Sequence, residues 1–139
     1  MSARAILYPV VLQILLTIAV YVKLNMAKRQ AVRDGTVDEA RRALDEDAWP
    51  DSVRKVNNNI RNQFEVPVLF YVLALMLFAL NRVDSFALVL SWLFVTSRVA
   101  HAYVHTGSNY VPLRRRVFMA GCALIVALTG TALYALLSA

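Results

Sequence analysis

Asn58, Arg61, Asn62 and Glu65 recur at i, i+3, i+4 and i+7, which places them on one side of a helix. They lead straight into residues 66–80, a run with no charged side chain. A second polar stripe, Arg98, His101 and His105, closes the next apolar segment with i, i+3, i+7 spacing. Arginine binds carboxylates in bidentate fashion. Asparagine offers both donors and acceptors. Only one carboxylate, Glu65, belongs to the set. The chemistry implied is recognition of an anionic, polar ligand. Ionisable groups inside membrane segments are costly and usually serve a function. A purely structural alternative stays open, in which Arg61, Glu65 and Arg98 form an ion-pair network that locks helices in register. His101 and His105 have metal-pair spacing, but there is no His-Glu-x-x-His and the neighbouring arginines would repel a cation, so no metal site is expected. A proton or ion pathway is a further alternative, for which four helices are few.

These residues need a membrane scaffold to hold them. The chain has 139 residues, 59% of them hydrophobic, and a mean hydropathy of +0.53. Its apolar content gathers in four stretches, roughly 5–27, 64–80, 86–105 and 117–137, each near the ~20 residues that a bilayer-spanning helix requires. The expected fold is one domain, 1–139, an all-α membrane protein with four transmembrane helices at about 5–33, 52–80, 85–106 and 112–137 in an up-down bundle. The first stretch is too long for the apolar core of a signal peptide and lacks a small-residue cleavage site, so it reads as a retained helix. Pro9 falls near its first turn, and Gly35 marks its stop.

Thr36 and Glu39 have capping-box spacing, which predicts a short surface helix over 37–47. The sequence Trp49-Pro50-Asp51-Ser52 then breaks that helix and starts the second span, with Trp49 at the membrane interface. The short connection 81–85 predicts an antiparallel hairpin of the second and third spans, capped by Asp84 or Ser85. Gly107, Ser108 and Asn109 form the third connection, and Pro112 suits the first turn of the fourth helix.

Charge sets the expected orientation. Residues 28–57 hold seven Lys/Arg, and Arg114, Arg115 and Arg116 end the third connection; the opposite side offers only Arg4 and Arg82. By the positive-inside rule, loops 28–57 and 106–116 face the cytoplasm and both termini lie on the other side. The net charge of +6 is therefore mostly topology. No basic-aromatic groove pattern accompanies it, which argues against nucleic-acid binding. The single cysteine, Cys122, permits no intrachain disulfide and reads as a small buried residue.

The hairpin brings the two stripes level. Glu65 with Arg98, Asn62 with His101, and Asn58 with His105 each have residue numbers summing to 163, centred at the start of the expected turn. Arg61 and Glu65 are i, i+4 partners, and Arg98 could reach Glu65 across the hairpin. Arg114 begins the fourth helix at the same membrane face. The expected site is a cationic pocket open to the cytoplasm, with a lipid-facing slot through which an apolar co-substrate could enter.

The run Asn58-Asn59-Ile60-Arg61-Asn62-Gln63-Phe64-Glu65 with Pro67 and Phe70 resembles the membrane-associated proteins in eicosanoid and glutathione metabolism (MAPEG). So do Arg98-Val99-Ala100-His101 and Pro112-Leu113-Arg114, in order and on the matching helices. The resemblance covers nearly the whole chain. It implies a homotrimer of four-helix subunits, with glutathione as co-substrate bound between neighbours near the cytoplasmic face. It implies glutathione contacts from Arg61, Asn62, Glu65 and His101, and a thiolate-stabilising role for Arg114. Asn58, Arg98 and His105 would support the site, and a lipophilic small molecule would be the second substrate. Some family members have arginine where this chain has Asn58, serine at Arg115, and tyrosine at both His105 and Phe118. Phe118 has no hydroxyl to donate, which favours a glutathione transferase or peroxidase over the isomerase-like activities of the eicosanoid branch. The alternative is a non-catalytic structural or accessory subunit that keeps the scaffold.

Overall fold

The computed structural model describes residues 2–138. Five α-helices follow a single turn of 3-10 helix at Ala3–Ile6: α1 Leu7–Arg33, α2 Asp51–Gln63, α3 Val66–Ala79, α4 Ser85–Thr106 and α5 Val111–Leu137. No strand occurs among the described residues. Four runs are long and apolar enough to cross a bilayer: Ala3–Arg33, Asp51–Ala79, Ser85–Thr106 and Val111–Leu137. The expected all-α, four-span architecture is therefore present, with one change. The second span is two helices in tandem.

Pro67 explains the break. Inside a continuous helix it would supply no N–H to Gln63, and its ring would crowd that carbonyl. The chain leaves helical geometry at Phe64 and Glu65 (Glu65 φ −101°, ψ −101°), and Pro67 then occupies the first turn of α3, where no N–H is needed. The expectation of one helix over 52–80 is corrected accordingly.

The helix ends follow local chemistry. Past α1, Gly35 takes φ +63°. The Thr36 N–H then donates to the Ala31 carbonyl (3.1 Å) and the Gly35 N–H to that of Val32 (3.2 Å), the paired bonds of a Schellman stop. The helix expected over 37–47 does not form. Thr36 Oγ1 donates to the Ala31 carbonyl instead of capping a new helix, and Glu39 is taken by Arg42. Residues 39–44 are turns, followed by a 3-10 turn at Glu46–Ala48. Asp45 caps that turn through the Asp47 N–H; this bond, together with Arg41, holds its carboxyl below the usual carboxylate range. Asp84 caps α4 by accepting from the Ala87 N–H at 2.7 Å, as expected. At the other end of α4, Lys23 Nζ donates to Thr106 Oγ1 (2.8 Å) and Lys55 Nζ to the Gly107 carbonyl (2.7 Å). Both ammonium groups complement the negative end of the α4 dipole.

Two apolar clusters flank a polar layer. The larger holds Ile6, Phe70, Ala74, Leu77, Phe94, Val95 and Leu128. Phe70 stacks on Phe94 with ring centroids 4.7 Å apart. The smaller cluster, at the Lys/Arg-rich end, joins Val20, Leu24 and Ala31 of α1 to Val53, Val56 and Ile60 of α2 and Ala102 of α4. Between them lie buried Gln13, Asn59, Gln63, Arg98, His101 and His105. Large apolar side chains such as Leu15, Ile18, Val72, Val89 and Val126 cover the outside. That surface suits lipid or a neighbouring subunit.

Candidate functional site

The break between α2 and α3 shapes the polar layer. It releases the Asn62 carbonyl, which receives Arg98 Nη2 at 3.4 Å. Arg98 is 1% exposed and lies among the largest fully buried side chains. Among the described residues no carboxylate comes within 4 Å of it. Its guanidinium carbon lies 5.8 Å from the Phe118 ring centroid. The proposed Arg98–Glu65 pair therefore does not form. Neither does the Arg61–Glu65 pair, because Arg61 reaches back to Glu46 of the first loop. The helical break carries Glu65 off the face it would share with Arg61 in a continuous helix.

A cleft of about 270 Å³ opens beside this layer, lined by Asn62, His101, His105, Val111, Arg114, Arg115 and Phe118. It collects side chains from α2, α4 and α5. The two imidazoles meet edge to face at 5.3 Å, and His101 lies 5.7 Å from the Phe118 ring. Arg114 enters from the first turn of α5. Its Nη1 donates to Asn109 Oδ1, and Asn109 sits in the left-handed region at φ +53°, where asparagine is tolerated. The connection thus aims the guanidinium as well as joining α4 to α5. Beyond Asn62 the lining contains two imidazoles, His101 and His105, two guanidiniums, Arg114 and Arg115, and no carboxylate, so an anion meets no carboxylate repulsion there.

The structure brings four of the residues expected from sequence together. Asn62, His101, His105 and Arg114 converge on one cleft. Asn58, Arg61 and Glu65 do not line it; all three are exposed on the outer side of the α2–α3 junction. Asn62 bridges the two groups and donates to the Asn58 carbonyl at 2.9 Å. The polar face of α2 that turns inward is the adjacent one, Asn59 and Gln63, 0% and 1% exposed. Gln63 connects in turn to Gln13 of α1. Those three amides escaped the sequence reading. A signal for Gln13 existed, since it stands alone as an amide in the apolar run from Ala5 to Val22. No group of three or more His, Cys, Asp or Glu side chains suited to a metal is present among the described residues.

A four-span helical chain with a polar, cation-lined cleft at one end of its bundle defines an integral, multi-pass membrane protein. The MAPEG family model matches residues 6–134, and the chain belongs to that family. Its members include glutathione transferases and eicosanoid synthases. No curated protein and no solved structure matches the chain.

Proposed function

We propose that this protein is a membrane-bound, glutathione-dependent transferase or peroxidase acting on a lipophilic electrophile. The observation that carries the reading is the convergence of Arg114, His101, His105 and Asn62 on a cleft without a carboxylate. Arg114 would stabilise the glutathione thiolate, because a guanidinium beside a thiol favours its ionised, nucleophilic form. The thiolate then forms a carbon–sulfur bond to the electrophile as its leaving group departs, or attacks a lipid hydroperoxide oxygen to release the alcohol, a second glutathione then displacing water to form the disulfide. Asn62 and His101 would hold the tripeptide from within the cleft. Arg61 and Glu65 would do so from outside it, with Arg98 bracing the broken segment.

The exposed position of Arg61, Glu65 and Asn58 suits a ligand shared with a neighbouring subunit, as in a homotrimer. The distribution of Lys and Arg supports a cytoplasmic position for the cleft, with both termini opposite. The apolar side chains near the opening, Val111 and Met119 among them, are exposed enough to meet a lipophilic substrate arriving from the bilayer. A second reading, a non-catalytic accessory subunit, draws on Phe118, which faces the cleft without a hydroxyl. Turnover with a reactive electrophile separates the two. The catalytic reading requires glutathione-dependent turnover that Arg114→Ala lowers by about 100-fold, the usual scale for losing one preorganised stabilising donor, with assembly unchanged. Equal turnover in variant and wild type would reject the role of Arg114, and none in the wild type would favour the accessory subunit.

A further inference from the structure

Three buried amides hand one hydrogen bond across three helices. Gln13 Nε2 of α1 donates to Gln63 Oε1 at 2.9 Å. Gln63 Nε2 donates to Asn59 Oδ1 at 3.0 Å. Asn59 Nδ2 faces His105 Nδ1 of α4 at 3.2 Å. Gln63 and Asn59 each spend the oxygen on one neighbour and the nitrogen on the next, so the direction of the chain is the same at every link. An amide N–H at the last link requires a lone pair on His105 Nδ1. The ring proton then resides on Nε2.

The opposite polarity would bury an unpartnered NH₂ at Gln13. The observed one leaves a single carbonyl oxygen there without a partner, and an orphaned carbonyl is the better tolerated of the two. His105 is 4% exposed and lines the cleft. With Nδ1 committed to Asn59, Nε2–H is the polar atom the ring has left for a ligand.

We propose that the relay Gln13–Gln63–Asn59 fixes His105 as its Nε2–H tautomer, so that His105 enters the cleft as a neutral donor to an acceptor atom of the ligand. Gln13, Gln63 and Asn59 are positioning residues, and His105 is the group that touches the ligand. A donor at this point, beside Arg114, selects an oxygen or thiolate acceptor and disfavours an ammonium or other donor. The identity of that ligand as glutathione rests on the function proposed above; the tautomer does not.

The test is nitrogen-15 NMR of the ligand-free, histidine-labelled protein in detergent, carrying an affinity tag without histidine. The chain has only two histidines, and His101→Gln assigns the spectrum. The expected pattern for His105 is an Nε2–H ring in the wild type and a tautomer mixture in Asn59→Leu. An Nδ1–H ring in the wild type would overturn the proposal, and that spectrum decides even if Asn59→Leu does not fold. Glutathione titration adds the functional arm. His105→Gln, which keeps a side-chain N–H near the same point, should bind within about threefold of wild type, whereas His105→Phe should bind roughly tenfold more weakly, the scale of one hydrogen bond. Unchanged affinity in His105→Phe would contradict the donor role. An Nε2–H ring in a wild type that binds no glutathione would uphold the relay and reject the glutathione reading instead.

Discussion

The two polar faces of α2 lie side by side and behave in opposite ways. Asn58 and Arg61 point outward, and Arg61 is paired with Glu46 of the first loop. Asn59 and Gln63, on the adjacent face, are buried and bonded to α1 and α4. Both faces have helical spacing, and both are polar. What separates them is whether the side chains can satisfy one another without net charge. An amide offers a donor and an acceptor, so a row of amides closes a buried chain of bonds at no cost in unpaired charge. The Arg61 guanidinium instead finds an anionic partner at the surface, in Glu46. The inward face therefore builds the bundle and aims His105, and the outward face remains available for a ligand or a neighbouring subunit.

That contrast predicts unequal consequences for nearly adjacent substitutions. Asn59→Leu strands His105 Nδ1 and the Gln63 amide, and thermal unfolding in detergent should register a loss of about 1–3 kcal/mol. Gly35→Ala lies outside both faces and provides a backbone control. The left-handed φ at that position should cost about 1 kcal/mol with the cleft intact, measured by the same melt together with the histidine spectrum. Arg61→Ala removes an exposed pair and should lower stability by less than about 1 kcal/mol. If the outward face contacts glutathione, the same variant weakens binding by roughly tenfold or more, the loss of a charge-assisted bond. A large stability loss in Arg61→Ala, or none in Asn59→Leu, would erase the distinction between the faces.

Much of the fold was legible because its signals are coarse. Apolar runs near 20 residues, Gly35 as a stop, Asp84 as a cap and Pro112 at a helix start each have a local cause, and each was expected. Pro67 carried an equally local signal, but the expected helix ran through it, because the apolar stretch 64–80 is short for a span unless the polar stripe before it is helical too. The site was legible in part. The hairpin register set Asn62 level with His101 and Glu65 level with Arg98; Asn62 and His101 do line one cleft, whereas Arg98 meets the Asn62 backbone carbonyl that the break releases and not Glu65. Arg61 and Glu65 went astray because i, i+4 spacing assumes an unbroken helix, and the chain leaves helical geometry at Phe64 and Glu65. The Asn59–Gln63 face was invisible for a different reason. Polar periodicity reveals that a stripe exists, and two stripes offset by one residue are equivalent until the neighbouring helices are in place. Gln13 is the neighbour that decides between them, 50 positions away in sequence.

The cleft at the Lys/Arg-rich end is proposed to hold glutathione. Thermal unfolding of the detergent-solubilised protein with and without millimolar reduced glutathione tests it most directly, since a ligand specific for the native state stabilises it by mass action, by about 2.7 kcal/mol at a hundredfold excess over Kd. Tm should rise with glutathione concentration, and the rise should shrink in Arg114→Ala. An unchanged Tm across the millimolar range would contradict it.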